Sequence, residues 1–79
     1  MNSLLPGDTL DLRGAQFPLH YVKTKRIIKE MSSGELLEIL LDDGDPIRDV
    51  PRKIIAEGHD VVGVEKLNDG SFTLFVRKG

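Results

Sequence analysis

Cysteine is missing from the sequence, and so is tryptophan. Without a thiol the chain has no disulfide, no thiolate metal ligand and no sulfur nucleophile of its own. Histidine is nearly as scarce, with only His20 and His59, so a transition-metal site would need unusual help from carboxylates. Asp42, Asp43, Asp45 and Asp49 are dense in the sequence, but they lack the ligand spacing and closing glutamate of a calcium loop. Turn and capping roles are expected for them. No glycine pattern matches a phosphate loop, and neither metal nor cofactor is expected. No apolar run approaches the roughly 20 residues of a membrane span, and the first residues lack the charged-then-apolar order of a secretory signal. A cytoplasmic protein without membrane contact is the expectation. An excess of one charge is lacking too: 11 basic residues stand against 13 acidic ones, net -2. That balance supplies no general attraction to nucleic acid.

What remains is ordinary globular composition, 39% hydrophobic and 30% charged. A chain of 79 residues buries only about 60 to 65% of the surface its unfolded form exposes. One domain over residues 1–79 with a nearly continuous core is expected. Residues 1–8, with the turn signal Pro6-Gly7, form a loosely held lead-in.

Thr9 to Leu12 alternates like a short strand, with Leu10 and Leu12 on one side. From Pro18 to Met31 the spacing predicts a helix whose inner stripe is Val22, Ile28 and Met31, joined by Tyr21, Thr24 and Ile27. His20 then falls on the outer surface. Gly34 is expected as the left-handed residue ending this helix. Glu35 to Leu41 is too short an apolar run for a typical helix and reads as a strand. Asp45-Pro46 predicts a second helix, started by the aspartate side chain and buried along Ile47, Val50, Ile54 and Ile55. Pro51 shifts its expected start toward Asp49, and Gly58 ends it. His59 to Leu67 alternates Val62, Val64 and Leu67 against polar positions. Asn68-Asp69-Gly70-Ser71 is a hairpin turn, and Phe72, Leu74 and Val76 line the closing strand.

The order βαβαββ is α+β. Two right-handed crossovers running in one direction place both helices on one face of a single sheet. The last hairpin makes strand four antiparallel to strand three. A two-layer α/β sandwich with a four-stranded mixed sheet follows; with strand four filling the gap between strands two and three, the order is 1-2-4-3.

The stretch Leu10 to Lys25 holds the chemistry. A strand ends at Arg13-Gly14 and a helix opens at Pro18, so the helix's first N–H groups and the positive end of its dipole aim at one spot. Phe17 occupies that spot. The run Arg13-Gly14-Ala15-Gln16-Phe17-Pro18-Leu19-His20, followed by Thr24-Lys25, resembles the motif Arg-Gly-x-x-Cys-Pro-x-Pro with Thr-Lys downstream that marks the TusA/SirA-like family of sulfur carriers. Gly34-Glu35, Asp42-Asp43, Asp49-Val50-Pro51 and Gly58-His59-Asp60 match later landmarks of the family, so the resemblance covers Leu10 to Lys78. It implies the same two-layer sandwich.

The resemblance also implies a chemistry that this chain departs from. Family members hold a cysteine at the helix start, where the dipole favours thiolate, so it can accept a sulfane sulfur as persulfide and pass it on. Here the position is Phe17, and His20 replaces the motif's second proline. Two departures in one motif read as natural divergence. A non-catalytic protein-binding or regulatory module linked to sulfur metabolism is therefore expected, with Arg13, Gln16, Phe17, Pro18, His20 and Lys23 as the partner-binding residues. The partner would be a protein of a sulfur relay. A sulfur carrier proper would require Phe17 to stand in for a native cysteine. RNA binding is the other alternative, through Arg13, Lys23, Lys25, Arg26, Lys29, Arg48, Arg52 and Lys53 on the helix faces.

Overall fold

Strand β1, Thr9–Asp11, opens the fold in a computed structural model that describes residues 9–16 and 18–79. The predicted lead-in over residues 1–8 and the side chain of Phe17 lie outside the described residues. Helix α1 spans Leu19–Glu30, strand β2 Leu36–Leu41 and helix α2 Asp45–Ala56. Strands β3, Asp60–Lys66, and β4, Phe72–Arg77, close it. The sheet order is β1-β2-β4-β3, with β1 parallel to β2 and β4 antiparallel to both its neighbours, as the crossover rule requires.

Alternation along β2 and β4 builds the core. Leu37, Ile39 and Leu41 pair with Val76, Leu74 and Phe72, and this face meets Ile28 of α1 and Val50 and Ile54 of α2. Its opposite face carries Leu36, Glu38 and Leu40 beside Arg77, Phe75 and Thr73. It lies open in part: Leu36 is 42% exposed, yet Thr73 only 2%.

Four expectations about these elements change. First, one position of the α1 stripe changes: Thr24 and Ile28 are buried and Tyr21, Ile27 and Met31 half-buried as expected, but His20 is buried in place of Val22, which is 54% exposed. Positions i, i+4 and i+8 follow the helix period as well as the expected set does, and the buried polar group in the stripe is satisfied locally. The Thr24 hydroxyl donates to the His20 carbonyl at 2.8 Å. Second, Ile55, Val62 and Val64 are about half exposed. Strand β3 lies at the sheet edge, beyond full cover by two short helices.

Third, α1 stops when Met31 turns extended, with its N–H bonded to the Ile28 carbonyl, so Gly34 belongs to the following turn rather than to the cap. Fourth, α2 starts at Asp45, with Gly44 as its N-cap and no side-chain cap. Pro51 sits in its interior and removes one N–H donor, while Val50 and Ile54 on either side stay fully buried. Gly58 does end this helix. Its N–H reaches the Ile55 carbonyl at 3.0 Å and that of His59 reaches Ile54 at 3.2 Å, a Schellman closure that needs the positive φ of 92° found there.

Strand β3 also carries a register shift between Val61 and Gly63. A bulge there twists the edge away from pairing with another chain. Among the described residues no helix is long and apolar enough to cross a membrane.

Candidate functional site: the turn between β1 and α1

Because β1 and β2 are parallel and β4 returns beside β2, three loops meet at one end of the sheet. They are the turn after β1, the turn after β2 and the hairpin between β3 and β4. The Arg13-Gly14 turn closes with the Ala15 N–H donating to the Leu12 carbonyl at 3.1 Å, and Gly14 takes a φ of 85° that a side chain would disfavour. Asp42, at the end of β2, accepts the Gly14 N–H at 2.6 Å. Asp11 accepts both the Arg13 N–H and its Nε at 3.0 Å.

Arg13 also reaches across the end of the sheet, donating through Nη1 to Asp69 at 3.0 Å. The other oxygen of Asp69 holds the Ser71 N–H and hydroxyl. One guanidinium thus ties the candidate turn to the hairpin. These bonds set the acid strengths: Arg13 pulls the Asp11 carboxyl down to about 2, and Asp11 in turn raises Arg13. Bonds from Ser71, then Arg13, lower Asp69.

A carboxyl depressed in the folded state contributes stability above its ordinary value of 3.8, and that contribution is lost as pH falls toward about 2. The stability difference between the wild type and Asp11→Asn is therefore expected to be full above pH ~5 and to close between pH ~4 and ~2. Urea titrations across that range measure it. Because both side chains are substantially exposed, the difference is expected to be small and to shrink further in high salt.

The helix start differs from the open-ended one predicted. Leu19 and His20 both donate their N–H groups to the Gln16 carbonyl, at 2.7 and 3.3 Å, while Tyr21 and Val22 donate to Pro18. Pro18 is the N-cap and not the first helical residue. These amides are committed to backbone, so the start of α1 offers its dipole more than free donors.

Of the predicted partner-binding residues, Arg13, Gln16 and Pro18 are exposed between β1 and α1, and Lys23 is exposed on α1. His20 is not: it is 1% exposed, on the inner face of α1 with Thr24. The expected surface histidine is a core residue, because the crossover presses that side of the helix to the sheet. Several of the eight basic residues have a neighbour that takes up their charge or covers them. Arg13 is paired with Asp11 and Asp69, Lys25 with Glu57, and Arg48 with Asp45 and Asp49, while Lys53 lies 5.1 Å from the Tyr21 ring centre.

Asp11, Asp42 and Asp69 were not among the expected site residues. The Asp-x-Arg spacing at Asp11 and the turn position of Asp69 were available signals, but their convergence is tertiary. A second cluster was likewise unforeseen. The Tyr21 hydroxyl donates to Glu57, whose carboxylate also meets Lys25 at 3.4 Å. That bond, followed by burial, pushes the Tyr21 phenol up to about 12, and Tyr21 and then Lys25 lower Glu57. His59, at the junction of α2 and β3, accepts the Gly79 N–H on Nδ1 at 3.1 Å, which is the structural role its position suggested.

The βαβαββ sandwich is the fold of a SirA-like protein of known structure. The SirA-like protein from Desulfitobacterium hafniense aligns with a TM-score of 0.79, covering 90% of this chain and 96% of that one; at 17% identity the likeness is one of fold. Sequence takes the assignment further. Residues 8–78 match the family described as "Sulfurtransferase TusA", and this chain belongs to that family. A relative from Archaeoglobus fulgidus, named "Putative sulfur carrier protein", is 38% identical over 71 residues, covering 90% of this chain and 81% of its own. "Sulfur carrier protein TusA" of Pseudomonas entomophila is 26% identical over 99% of this chain and 96% of its own.

Proposed function

We propose that this member of the TusA family has lost persulfide transfer and acts as a non-catalytic, cytoplasmic protein-binding module linked to sulfur metabolism. The reading rests on one observation: Phe17 stands at the motif's cysteine position in a chain that contains no cysteine anywhere. A benzyl group has no atom that forms a transferable S–S bond, and carrier chemistry needs one. The rest of the motif supports retention of a docking surface. Arg13 and Gly14 are each held by carboxylates from other loops, so the turn keeps a defined shape beside exposed Gln16 and Pro18. A shape maintained without the chemistry fits recognition by a relay protein, with aromatic and arginine side chains as the usual anchors of such contacts.

Two measurements test this reading. After incubation with a cysteine desulfurase and free cysteine, the intact mass of the chain is expected to stay unchanged; a covalent sulfur adduct would overturn the loss of transfer. In pull-downs against sulfur-relay proteins, wild type is expected to retain a partner that Phe17→Ala loses, and equal recovery by both would remove residue 17 from the docking surface.

A further inference from the structure

A notch of about 200 Å³ lies between α1 and the end of α2, at the end of the sheet opposite the Arg13 turn. We infer that it is a binding site for a small monocarboxylate with an apolar body, of about the size of benzoate. Its volume is below the ~300 Å³ at which drug-sized pockets begin, which sets the size of the ligand.

The walls decide its chemistry. Thr24, Ile28 and Ile54 line it and are 0%, 4% and 1% exposed. The Thr24 hydroxyl is spent on the His20 carbonyl within the helix, so the floor beneath the notch is apolar and already closed to solvent. The surface a ligand meets is the Tyr21 ring, whose hydroxyl is turned to Glu57, together with the aliphatic stems of Lys25 and Lys29.

The rim is cationic. Lys25, Lys29 and Lys78 line the notch against a single carboxylate, Glu57. Glu57 is matched by Lys25 at 3.4 Å, and neither Lys29 nor Lys78 is paired with a carboxylate among the described residues. Lys78 is fixed in place: its Nζ donates to the Lys29 and Met31 carbonyls at 3.3 and 2.5 Å, at the C-terminal end of α1. An ammonium has three donors, so one remains for a ligand. His59 also lines the notch, and since its Nδ1 accepts the Gly79 N–H, the neutral ring carries its proton on Nε2 as a further donor.

An apolar body against the Tyr21 ring and the lysine stems and one anionic head at Lys29 and Lys78 satisfy both halves. A neutral ligand would leave the ammonium groups without a counter-charge. A bare inorganic anion would leave the Tyr21 ring and the lysine stems uncovered. The site is independent of residue 17 and of the proposed loss of sulfur transfer.

Amide-resolved NMR titrations at constant ionic strength with benzoate, benzamide and acetate test the inference. Benzoate is expected to give saturable shifts centred on Thr24, Ile28 and Ile54, and to bind about fivefold more tightly than benzamide. Acetate, lacking the apolar body, is expected to bind more weakly still. Lys29→Gln leaves the floor intact and is expected to remove most of the preference for benzoate over benzamide. The site is overturned if benzoate shifts are scattered or fail to saturate. It is equally overturned if benzamide or acetate binds as well as benzoate, or if Lys29→Gln leaves the preference unchanged.

Discussion

Phe17→Cys is expected to turn an inert chain into one that accepts sulfur. Incubated with a cysteine desulfurase and free cysteine, the variant should gain the mass of one sulfur atom and lose it again on reduction, whereas the wild type does neither. The expectation follows from position. In sequence, residue 17 immediately precedes Pro18, the N-cap of α1, so a thiolate there is expected to feel the positive end of the helix dipole. The amides of Leu19 and His20 are already committed to the Gln16 carbonyl, so the stabilisation of the thiolate is modest. We expect its pKa to fall from the ordinary ~8.5 to about 7.5 to 8, well short of the lowest values known at helix starts. The rate of alkylation by iodoacetamide as a function of pH reads this directly. A variant whose thiol alkylates but accepts no sulfur would show that further departures from the motif, His20 for proline among them, have also removed recognition by the donor. The idea that residue 17 alone separates this chain from its relatives' chemistry would then fail.

The largest stability effect is expected from Ile39→Ala. Ile39 is fully buried on the helix face of β2, with Leu10 and Leu74 as its register partners on either side. Truncating such a residue costs about 2 to 5 kcal/mol, the upper part of the range where the surroundings cannot collapse into the space. Flanking strands bonded on both sides restrict that collapse. For a chain of this length the whole stability is on the order of 4 to 12 kcal/mol, so the midpoint of thermal unfolding should fall by about 15 to 25 °C. Leu36→Ala, on the opposite and partly open face, is the control. It is expected to cost under about 1 kcal/mol, because a residue already half in water loses little burial. Equal shifts for the two variants would contradict the assignment of faces. Calorimetry at neutral pH distinguishes the outcomes.

These predictions draw unequally on sequence and on tertiary structure. Strand alternation at Leu37, Ile39 and Leu41 and at Leu74 and Val76 was readable from period alone, and crossover handedness placed both helices on one face; the order 1-2-4-3 needed strand four to fill the gap between strands two and three. The same was true of the absent thiol at residue 17. The inner stripe of α1 was only partly readable. Val22 and His20 are two residues apart, and hydrophobicity alone favoured the valine for the core. The helix buried Thr24 and Ile28 as expected but took His20 inward in place of Val22, since it is the surface offered by the sheet that selects the inward side. Val62, Val64 and Ile55 erred the other way: an apolar side chain signals burial only where another layer reaches it, and two helices do not cover the edge strand β3.

The composition and local periods of this chain therefore determined its elements, their order and the chemistry it lacks, because those properties depend on residues close in sequence. Which side chains meet was decided only by the folded sheet. Asp42 and Asp69 hold the Arg13-Gly14 turn, and Lys29, Lys78 and His59 gather around one notch. In each case the groups come from segments tens of residues apart, and contacts at that separation form only when packing has overcome the entropy of closing the loops between them.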